Sequence, residues 1–515
     1  MDYTIGVDLG TTSTKVVLFD KASKVIKTAN HGYTLYRDEP DMAEEDLDEI
    51  FQAFTEGIID VTKGLNFATD KLIAVSFSSS MHSLIAFDAD WQPLTRVITW
   101  ADTRAVNYTE ELKNNGLGKE IYAKTGTPIH PMAPLSKLLW LKNEKPDIYK
   151  QAAHYLGIKE YIFHRLFGDN KMDISIASGT GLFNIFELDW DAQALAVTGV
   201  KKEQLPQPVE PYEIARNLDP EYAKFIGIPA DTAFVYGAGD GPLSNLGVNA
   251  IQPGVAAVTI GTSGAIRVVS NKPVIDPKGR TFTYALDKDH WVVGGPVNNG
   301  GDVFRWAKNN LFDAEDSTAK LLHMDTYDLL TSIAAKVPAG ADGLLFHPYL
   351  GGERAPIWDA NARGSFFGLT HEHTRAHMVR AVLEGIIFNI YMVSLALEEV
   401  VGDLHNIQAT GGFARSPLWR QMAADIFEQP VTVPEAFESG ALAATVVAKK
   451  ALGIMDRLED IEELVGQSNT YTPNPENYNV YRELVPIFIR LSRQLQTEYA
   501  NIANFQRKYN NTNKD

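Results

Sequence analysis

One short pattern occurs twice in this chain. The letters DLGTTSTKVVLF run from residue 8 to residue 19, and TIGTSGAIRVVS runs from residue 259 to residue 270. Both read as an apolar strand, a Gly-Thr-Thr or Gly-Thr-Ser turn, one cation and a second apolar strand. Gly10 and Gly261 lie 251 positions apart in a chain of 515 residues. Such a duplication predicts two lobes, each with its own strand-turn-strand unit.

The first of these turns is rich in groups that bind phosphate. Residues 10 to 15 hold one glycine, four hydroxyl side chains and a lysine, all of which can donate hydrogen bonds to phosphate oxygens. Backbone N–H groups in such a turn can also form an anion nest without a helix terminus. An ordinary hairpin loop uses the same residue types, and this stretch alone favours that plainer interpretation.

Familiar nucleotide loops are absent from the sequence. No Gly-x-x-x-x-Gly-Lys-Ser/Thr occurs, and no complete Gly-x-Gly-x-x-Gly follows a strand and opens a helix. These absences lower the support for a P-loop protein or a Rossmann dinucleotide-binding protein. A phosphate turn between two antiparallel strands is a different device, and the sequence leaves it open.

Size and charge narrow the class of protein. A chain of 515 residues is too long to fold around one hydrophobic core, so we expect two or more domains. The 47 basic and 65 acidic side chains give a net charge of −18, which argues against a broad surface for nucleic acid. Any anionic ligand must therefore meet a local cationic pocket. The lack of cysteine excludes disulfides and thiolate chemistry.

We expect a cytoplasmic protein that does not span a membrane. The absence of cysteine fits that compartment, and the opening letters MDYTIGVD carry no secretory signal. The most apolar long stretch, residues 385 to 397, is interrupted by Asn389 and Ser394 and is too short to cross a bilayer. Its apolar residues recur at helical spacing, which predicts a buried helix.

Strands and helices alternate in both halves of the chain, which predicts an α/β fold. The predicted strands lie near residues 3–8, 15–19, 72–79, 233–236, 256–260, 265–269, 291–294 and 406–410. The predicted helices cover residues 46–62, 136–143, 374–400, 417–427 and 476–508, the last with a break at Pro486. Gly and Pro in NLGVNAIQPG predict a domain boundary near residues 245 to 254, with lobes of residues 1–247 and 248–515.

One carboxylate stands out in the segment FVYGAGDGPLSNLG, residues 234 to 247. An apolar strand enters a glycine turn that presents Asp240, and the flanking glycines allow a substrate to approach closely. The carboxylate can accept the proton of an attacking hydroxyl during transfer of a γ-phosphoryl group. A helix-capping aspartate after a strand is the equally acceptable alternative.

Three further loops carry groups suited to ligands. In IQATGGFARSPLW, Gly411 and Gly412 would let a flat ring such as adenine lie on the backbone, and Ser416 is predicted to cap a helix. The loops SSSMHSL and TWADTRA each follow an apolar strand and offer polyol-binding groups, namely His82, Trp100, Asp102 and Arg104. A plain turn, a core tryptophan, an ion pair and a structurally satisfied histidine explain the same letters.

In this order the segments resemble the FGGY carbohydrate kinases, which belong to the actin-like, ribonuclease-H-like ATPase superfamily. The stretch MAPLSKLLWLKNE fits the first signature of that family at Met132, Pro134, Lys137, Trp140 and Glu144. The stretch GSFFGLTHEHTRAHMVRAVLE fits the second signature at Gly364, Gly368, His377, Ala381 and Glu384. The resemblance implies a two-lobed actin-like fold with duplicated domains and an active-site cleft between the lobes.

The resemblance also implies an activity, which is phosphorylation of a sugar-like alcohol by MgATP. Many segments are most similar to family members that phosphorylate gluconate, and the Met81-His82 pair is also similar to xylulose kinases. Glycerol kinases carry Arg-Glu at that place, so glycerol is the less favoured substrate. A ketopentose kinase and a non-catalytic actin-like nucleotide-binding protein remain the alternatives.

By the same resemblance, each lobe contributes defined groups to the site. Asp240 is the expected catalytic base, and Asp8 is expected to lie near Mg²⁺, through water. The expected sugar-binding residues are Met81, His82, Trp100, Asp102 and Arg104. The expected nucleotide-binding residues are Gly10, Thr11, Thr12, Ser13, Lys15, Gly261, Thr262, Ser263, Gly301, Gly411, Gly412 and Ser416.

A sugar acid would bring a carboxylate into an acidic protein, so at least one local cation should face it. The candidates are Arg104, His82, Lys159 and His130, which the sequence does not rank. We expect MgATP and a small sugar acid as partners, with no nucleic acid and no membrane. A homodimer is one assembly that the sequence leaves open.

Overall fold

The computed structural model describes residues 1–39, 41–434, 438–466 and 469–510. The chain forms two compact units that are both discontinuous in sequence. The first unit comprises Met1–Gln252, Val269–Val293 and Ala436–Gly466. The second unit comprises Pro253–Val268, Gly294–Glu435 and Gln467–Asp515.

Strands and helices alternate along the described residues. The strands are β1 Asp2–Leu9, β2 Ser13–Asp20, β3 Val25–Gly32, β4 Glu44–Glu45, β5 Lys71–Ser79, β6 Ile85–Phe87, β7 Val97–Ile98, β8 His154–Leu156, β9 Lys171–Asp173, β10 Phe183–Asn184, β11 Asp189–Trp190, β12 Gln207–Val209, β13 Ile214–Ala215, β14 Ala233–Gly239, β15 Val255–Ile260, β16 Gly264–Ser270, β17 Phe282–Asp287, β18 His290–Val297, β19 Leu345–His347, β20 Ser365–Phe367, β21 Asn406–Gly411, β22 Val431–Thr432 and β23 Thr470–Tyr471.

The helices are α1 Leu47–Thr62, α2 Val106–Asn114, α3 Leu117–Thr125, α4 Pro134–Glu144, α5 Pro146–Gln151, α6 Ile158–Phe167, α7 Ile174–Ser178, α8 Ala192–Thr198, α9 Pro220–Ile226, α10 Asp240–Leu246, α11 Gly301–Asn310, α12 Asp313–Leu321, α13 Thr326–Ala334, α14 Arg375–Val401, α15 Pro417–Phe427, α16 Ser439–Ala451, α17 Glu462–Val465, α18 Pro475–Gln494 and α19 Gln496–Asn510. Short 3₁₀ turns add Lys202–Gln204, Ala341–Gly343, Gly412–Arg415 and Leu458–Ile461. The predicted α/β class is confirmed.

The first unit is built on a six-stranded sheet in the order β13-β14-β5-β1-β2-β3. Strand β1 lies inside this sheet, antiparallel to β2 and parallel to β5. Its apolar side chains, Ile5, Val7 and Leu9, are fully buried. Helix α1 packs against β2 and β3, and helix α16 packs against β1, β5 and β14. Thr4, Gly6 and Asp8 alternate with these residues, and a Cβ atom at Gly6 would meet Ala441 of α16, so the two faces of β1 are packed differently.

The second unit repeats this strand arrangement. Strand β15 is antiparallel to β16 and parallel to β21, as β1 is to β2 and β5. Strand β21 then pairs in parallel with β22, which pairs antiparallel with β23. Two central strands with the same kinds of neighbour, each followed by a short turn, confirm the predicted duplication.

Local capping fixes where several helices begin. The Asp46 side chain accepts hydrogen bonds from the backbone N–H groups of Asp48 and Glu49 at 2.9 and 3.1 Å, which starts α1. The Ser416 hydroxyl accepts from the backbone N–H of Trp419 at 3.3 Å, and Pro417 occupies the first helical position of α15. The predicted cap at Ser416 is therefore confirmed.

Helix α14 has the length and apolar composition of a membrane span. However, 83% of its most apolar 18-residue window is buried inside the protein. A helix that packs against β19, α13 and α15 has the surroundings of a core helix. The predicted buried helix around residues 385 to 397 is confirmed.

The predicted break at Pro486 is wrong. Helix α18 continues through Pro486, and the break falls instead at Leu495, between α18 and α19. Tyr481, Val485 and Phe488 are buried on one side of α18. A proline removes one backbone hydrogen-bond donor, but the apolar side chains buried before and after Pro486 keep α18 helical.

The compact units also differ from a single division at residues 247 and 248. The chain enters the second unit at Pro253, re-enters the first unit at Val269, and contributes α16 to the first unit much later. Helix α16 belongs there because it covers β1, β5 and β14. Glycine and proline between two motifs indicate a local loop, and they carry no information about a helix that returns some 200 residues later.

Gly6 tests the packing of α16 on the sheet. A Cβ atom at Gly6 would lie 2.2 Å from the carbonyl oxygen of Ala441, so neither backbone can yield without moving the helix. We expect Gly6→Ala to destabilise the first unit by about 3 kcal/mol. The matched control is Gly32→Ala, whose Cβ would lie at an ordinary 3.6 Å from the carbonyl oxygen of Thr12. Chemical denaturation measures both, and equal stabilities would contradict this packing.

Candidate active site

The first hairpin turn is held from behind by two aromatic residues. The backbone N–H of Gly10 donates to the carbonyl oxygen of Ser13 at 3.0 Å and closes the turn. Tyr33 donates its backbone N–H to the carbonyl oxygen of Thr12 at 3.0 Å and its hydroxyl to that of Gly10. The indole N–H of Trp100 donates to Thr11 Oγ1 at 2.8 Å. The Thr12 side chain remains exposed, as a ligand-binding turn requires.

Charged groups lie at the base of this turn. Asp8 accepts a hydrogen bond from the hydroxyl of Ser78 at 2.8 Å, and the ammonium of Lys15 lies 3.0 Å from Glu438. Burial raises the pKa of the Asp8 carboxyl, although the bond from Ser78 and the charge of Lys15 oppose this shift. A Cβ atom at Gly440 would lie 3.4 Å from Asp8 Oδ2, so a glycine leaves this oxygen uncrowded.

The oxygen donors around Asp8 fit Mg²⁺ better than they fit a metal that is bound by protein side chains alone. A hard carboxylate oxygen in a desolvated position is a suitable partner for this cation. Within the described ranges, no group of three or more His, Asp or Glu side chains gathers to hold a metal. Mg²⁺ commonly binds through one or two carboxylates and completes its shell with water and phosphate oxygens.

Asp240 stands at the start of α10, directly after β14. Its Oδ1 atom accepts a hydrogen bond from the backbone N–H of Gly241 at 2.8 Å, and the residue is exposed. The preceding Gly239 donates its backbone N–H to the hydroxyl of Ser175 at 3.1 Å. A Cβ atom at Gly239 would lie only 2.8 Å from Met81, so Met81 packs directly beside the residue that precedes Asp240.

His82 is fixed in an unusual backbone conformation next to Met81. Its φ angle is +68°, and Lys137 donates its ammonium to the carbonyl oxygens of His82 and Ile98. The ring atom Nδ1 lies 2.7 Å from the carbonyl oxygen of Gly179, which can only accept. This assigns the proton of a neutral ring to Nδ1 and leaves Nε2 as an acceptor. The hydroxyl of Tyr284 lies 3.4 Å from Nε2.

The structure thus brings Met81, His82 and Asp240 into one neighbourhood of the first unit. A Cβ atom at Gly179 would lie 2.6 Å from Met81 Cε and 3.3 Å from His82 Cε1. Small residues at 179 and 239 are what allow this close approach. Nothing in the sequence pattern indicated Gly179 or Tyr284 as neighbours of His82.

The loop that contains Trp100 also contains an ion pair between Asp102 and Arg104. Asp102 is 1% exposed and accepts the backbone N–H of Ala43 at 3.0 Å and the guanidinium of Arg104 at 2.9 Å. Arg104 also donates to Glu44 at 2.5 Å and lies 4.3 Å above the ring of Trp140. The ion pair left open by the sequence is present, and sugar binding by Asp102 and Arg104 remains a prediction.

Two of the four candidate cations differ sharply in their surroundings. Lys159 forms an ion pair with Asp173, and both side chains are 0% exposed. His130 Nδ1 accepts the backbone N–H of Met132 at 3.2 Å, which places the proton of a neutral ring on Nε2. The segment that carries His130 also contacts residue 178, because Thr127 donates its hydroxyl to the carbonyl oxygen of Ser178 at 2.7 Å.

The buried positions of Glu45 and Lys137 beneath these loops were missed by sequence reasoning. Burial lowers the pKa of Lys137 to about 7 and raises the pKa of Glu45 to about 8, and each group opposes the shift of the other. Neither carboxyl oxygen of Glu45 has a hydrogen-bond partner among the residues that the structure describes. The family signature marks Lys137, whereas a glutamate on a short strand gives no local signal of burial.

The second unit contains a cavity of about 610 Å³ beside the second hairpin turn. Five predicted nucleotide-binding residues line it, and these are Gly261, Thr262, Gly301, Gly412 and Ser416. Phe304 forms an aromatic wall with Tyr327 and Trp419, at ring distances of 5.2 and 5.6 Å. Arg305 and Arg415 line the cavity together with three carboxylates, those of Asp302, Asp325 and Asp328. The size of the cavity and its aromatic wall suit a nucleoside.

The second turn is closed in the same manner as the first. The backbone N–H of Gly261 donates to the carbonyl oxygen of Ser263 at 2.9 Å. Gly411 has a φ angle of +93°, and a Cβ atom there would lie 2.4 Å from the carbonyl oxygen of Ile260. Glycine is therefore required for β21 to end beside the turn.

Each α/β unit carries a hydroxyl-lined turn, a nucleoside-sized cavity lies beside the turn of the second unit, and the first unit holds the exposed carboxylate of Asp240. These are the groups that a nucleotide-dependent phosphotransferase needs. The family model for the N-terminal domain of FGGY carbohydrate kinases matches residues 3–247, and the model for the C-terminal domain matches residues 256–452. The chain belongs to the FGGY family of carbohydrate kinases, which transfer phosphate to an alcohol group. Its fold is the actin-like two-domain fold of that family.

The named relatives are similar over nearly the whole chain. A gluconokinase of Bacillus licheniformis is 51% identical and covers 98% of both chains. A gluconate kinase structure from Lactobacillus acidophilus has a TM-score of 0.93 at 44% identity and covers 97% of this chain and 99% of its own. A ligand-bound structure from the same organism, described as a xylulose kinase, has the same TM-score and identity, with 98% and 100% covered.

Glu45 predicts a pH dependence of stability. Between its ordinary pKa of 4.5 and its folded pKa of about 8, the folded protein retains a proton that the unfolded chain releases. This group therefore reduces stability as the pH rises through that range. Glu45→Gln cannot titrate, so its stability relative to the wild type should increase steadily from about pH 5 to about pH 8.

Urea denaturation of both proteins at several pH values measures this difference. A constant offset between the two stability curves would show that Glu45 does not change its protonation in this range. The direction of the trend is unaffected by Lys137, because removing Glu45 can only lower the pKa of that lysine further.

Proposed function

We propose that this kinase transfers the γ-phosphoryl group of MgATP to the 6-hydroxyl of D-gluconate and forms 6-phospho-D-gluconate. The observation that carries this proposal is the exposed carboxylate of Asp240 beside Met81 and His82. A sugar hydroxyl bound there would face the carboxylate of Asp240 as a base and Nε2 of His82 as a hydrogen-bond acceptor. The relatives named for gluconate support the choice of sugar acid.

In the proposed reaction, Asp240 accepts the proton of the 6-hydroxyl as its oxygen attacks phosphorus. The new O6–P bond forms while the bond between the γ-phosphorus and the bridging oxygen of ADP breaks. Because such transition states are loose, positioning and neutralisation of charge matter more than the strength of the base. Thr12, Lys15 and Thr262 are the proposed donors to the transferred group.

Asp8 is the proposed partner of Mg²⁺, through water. When bound, the cation would neutralise charge on the β- and γ-phosphate oxygens. The bond from Ser78 fixes one oxygen of the Asp8 carboxylate, and Lys15 lowers its pKa against the effect of burial. Asp8 is thus oriented before the nucleotide arrives.

The two histidines have opposite polarity toward a ligand. Nε2 of His82 is an acceptor, which suits a sugar hydroxyl, and Nε2 of His130 carries the proton, which suits a carboxylate. Lys159 already forms an ion pair with Asp173, and Arg104 already forms ion pairs with Asp102 and Glu44. On these contacts we place His130, as an N–H donor and not as a fixed cation, before Lys159 and Arg104 as the proposed partner of the gluconate carboxylate.

A ketopentose such as xylulose is the second candidate substrate. The ligand-bound Lactobacillus structure described as a xylulose kinase supports it, as does the neutral acceptor on His82. A purely structural actin-like protein would not need Asp240 beside a polyol-binding pair. We propose that the enzyme is cytoplasmic.

The substrate assignment is tested by ADP release from MgATP with gluconate, xylulose, glycerol or no sugar. We expect rapid turnover with gluconate and little with the other three. Turnover with xylulose alone would retain the mechanism and replace the sugar. No turnover above the sugar-free rate with any of them would refute the kinase assignment for these substrates.

The role of Asp240 is tested by Asp240→Asn. We expect kcat to fall about a thousandfold or more while the affinity for ATP changes little, because the amide cannot accept the proton. The matched control is Asp219→Asn, since Asp219 is another exposed aspartate and caps α9 through the N–H of Glu221 at 2.8 Å. Near-normal turnover of the Asp240 variant would remove it from the reaction.

A further inference from the structure

The buried carboxylate of Glu353 joins its own segment, residues 351–354, to the segment of residues 298 and 299, and it also binds Asn389 of α14. The Oε1 atom of Glu353 accepts the backbone N–H of Asn298 at 2.5 Å. Its Oε2 atom accepts the side-chain amides of Asn299 at 2.9 Å and Asn389 at 2.6 Å. The backbone N–H of Arg354 is a fourth donor, at 2.8 Å. Glu353 is 2% exposed, so these four donors replace the water that the carboxylate has lost.

The two segments also bond to each other directly. The side-chain amide of Asn298 donates to the carbonyl oxygen of Gly351 at 3.1 Å, and that of Asn299 donates to Gly352 at 2.7 Å. The backbone N–H of Gly351 returns a bond to Asn299 Oδ1 at 3.2 Å. Burial raises the pKa of Glu353, which reflects the cost of placing a carboxylate here. We call this arrangement, centred on Glu353, the glutamate clasp.

The residues that directly follow Asn299 contact the second hairpin turn. Gly301 donates its backbone N–H to the carbonyl oxygen of Gly261 at 2.6 Å, and Asp302 donates to Thr262 at 3.2 Å. A Cβ atom at Gly300 would lie 2.5 Å from the carbonyl oxygen of Ser263. Residues 300 to 302 therefore contact all three residues of the turn, and the clasp fixes the chain just before them.

We propose that Glu353 is a positioning residue for the nucleotide phosphates, which acts by holding residues 298 and 299 so that residues 300 to 302 support the turn at Gly261, Thr262 and Ser263. The inference rests on the proposed role of that turn in phosphate binding. Glu353 does not line the cavity beside this turn, so it acts through the residues that it holds. Its effect should therefore depend on the phosphates of the nucleotide and not on the nucleoside or the sugar.

The test compares MgATP with adenosine in binding titrations. Glu353→Gln keeps the size of the side chain but replaces an acceptor by a donor that faces other donors. We expect affinity for MgATP to fall about tenfold or more, while affinity for adenosine changes less than about twofold. In steady-state kinetics, KM for MgATP should rise while KM for gluconate changes little.

The matched control is Asp425→Asn in the same unit. Asp425 is also buried, and it accepts one backbone N–H, from Asn474 at 2.7 Å, and two side-chain amides, from Asn477 at 2.7 Å and Gln421 at 2.8 Å. It fastens the start of α18 and not the turn. Asp425→Asn should lower the melting temperature and preserve the wild-type preference for MgATP over adenosine. Asn389→Ala, a milder variant of the clasp, should reduce that preference about two- to fivefold.

The possible outcomes distinguish the role of the clasp from the phosphate-binding role of the turn. Loss of the MgATP preference in Glu353→Gln or Asn389→Ala, with retention in Asp425→Asn, supports the clasp. A preference that is unchanged in the clasp variants, or lost equally in the control, overturns it. If the wild type binds MgATP no better than adenosine, the phosphate role of the turn fails and the clasp inference falls with it. If the wild type prefers MgATP but phosphorylates another sugar, only the proposed substrate fails.

Discussion

One strand in each unit pairs with an antiparallel neighbour on one side and a parallel neighbour on the other, and the site follows from this pairing. In both units the antiparallel neighbour follows directly through a tight turn, so a hairpin stands at the carboxyl end of β1 and of β15. The parallel neighbours end at the same edge of the sheet. Asp8, the loop after β5 and Asp240 after β14 therefore meet at one edge, and Gly261 and Gly411 meet at the corresponding edge of the second unit.

Local patterns in the sequence were sufficient for these strands and turns. Apolar runs interrupted by Gly, Thr and Ser predict a strand, a turn and a strand whatever the surrounding chain does, and the cap at Ser416 depends only on its neighbours. Long-range packing was not accessible in this way. Helix α16 lies on β1 because of a contact between residues more than 400 positions apart, and α18 passes through Pro486 because distant residues bury its apolar face.

The same distinction between local patterns and long-range packing applies to the site. Hydroxyl-rich and glycine-rich turns are recognisable from their letters, and the structure gathers five of the predicted nucleotide-binding residues at one cavity. The environment of a charged side chain is a property of the folded chain. Trp100 contacts the first turn, Lys159 is neutralised by Asp173, and Glu45 and Lys137 titrate near neutrality because both are desolvated. Composition and spacing contain no measure of that desolvation.

The late return of the chain to its first unit has a consequence for synthesis. Strands β1 and β5 leave the ribosome early, yet α16, which covers them, is translated only after most of the second unit. At usual elongation rates the interval is on the order of half a minute. Throughout that time the sheet face that α16 will cover, which carries small residues such as Gly6 and its β5 neighbour Ser76, stays without its covering helix. The first unit therefore cannot complete its packing until α16 has been made.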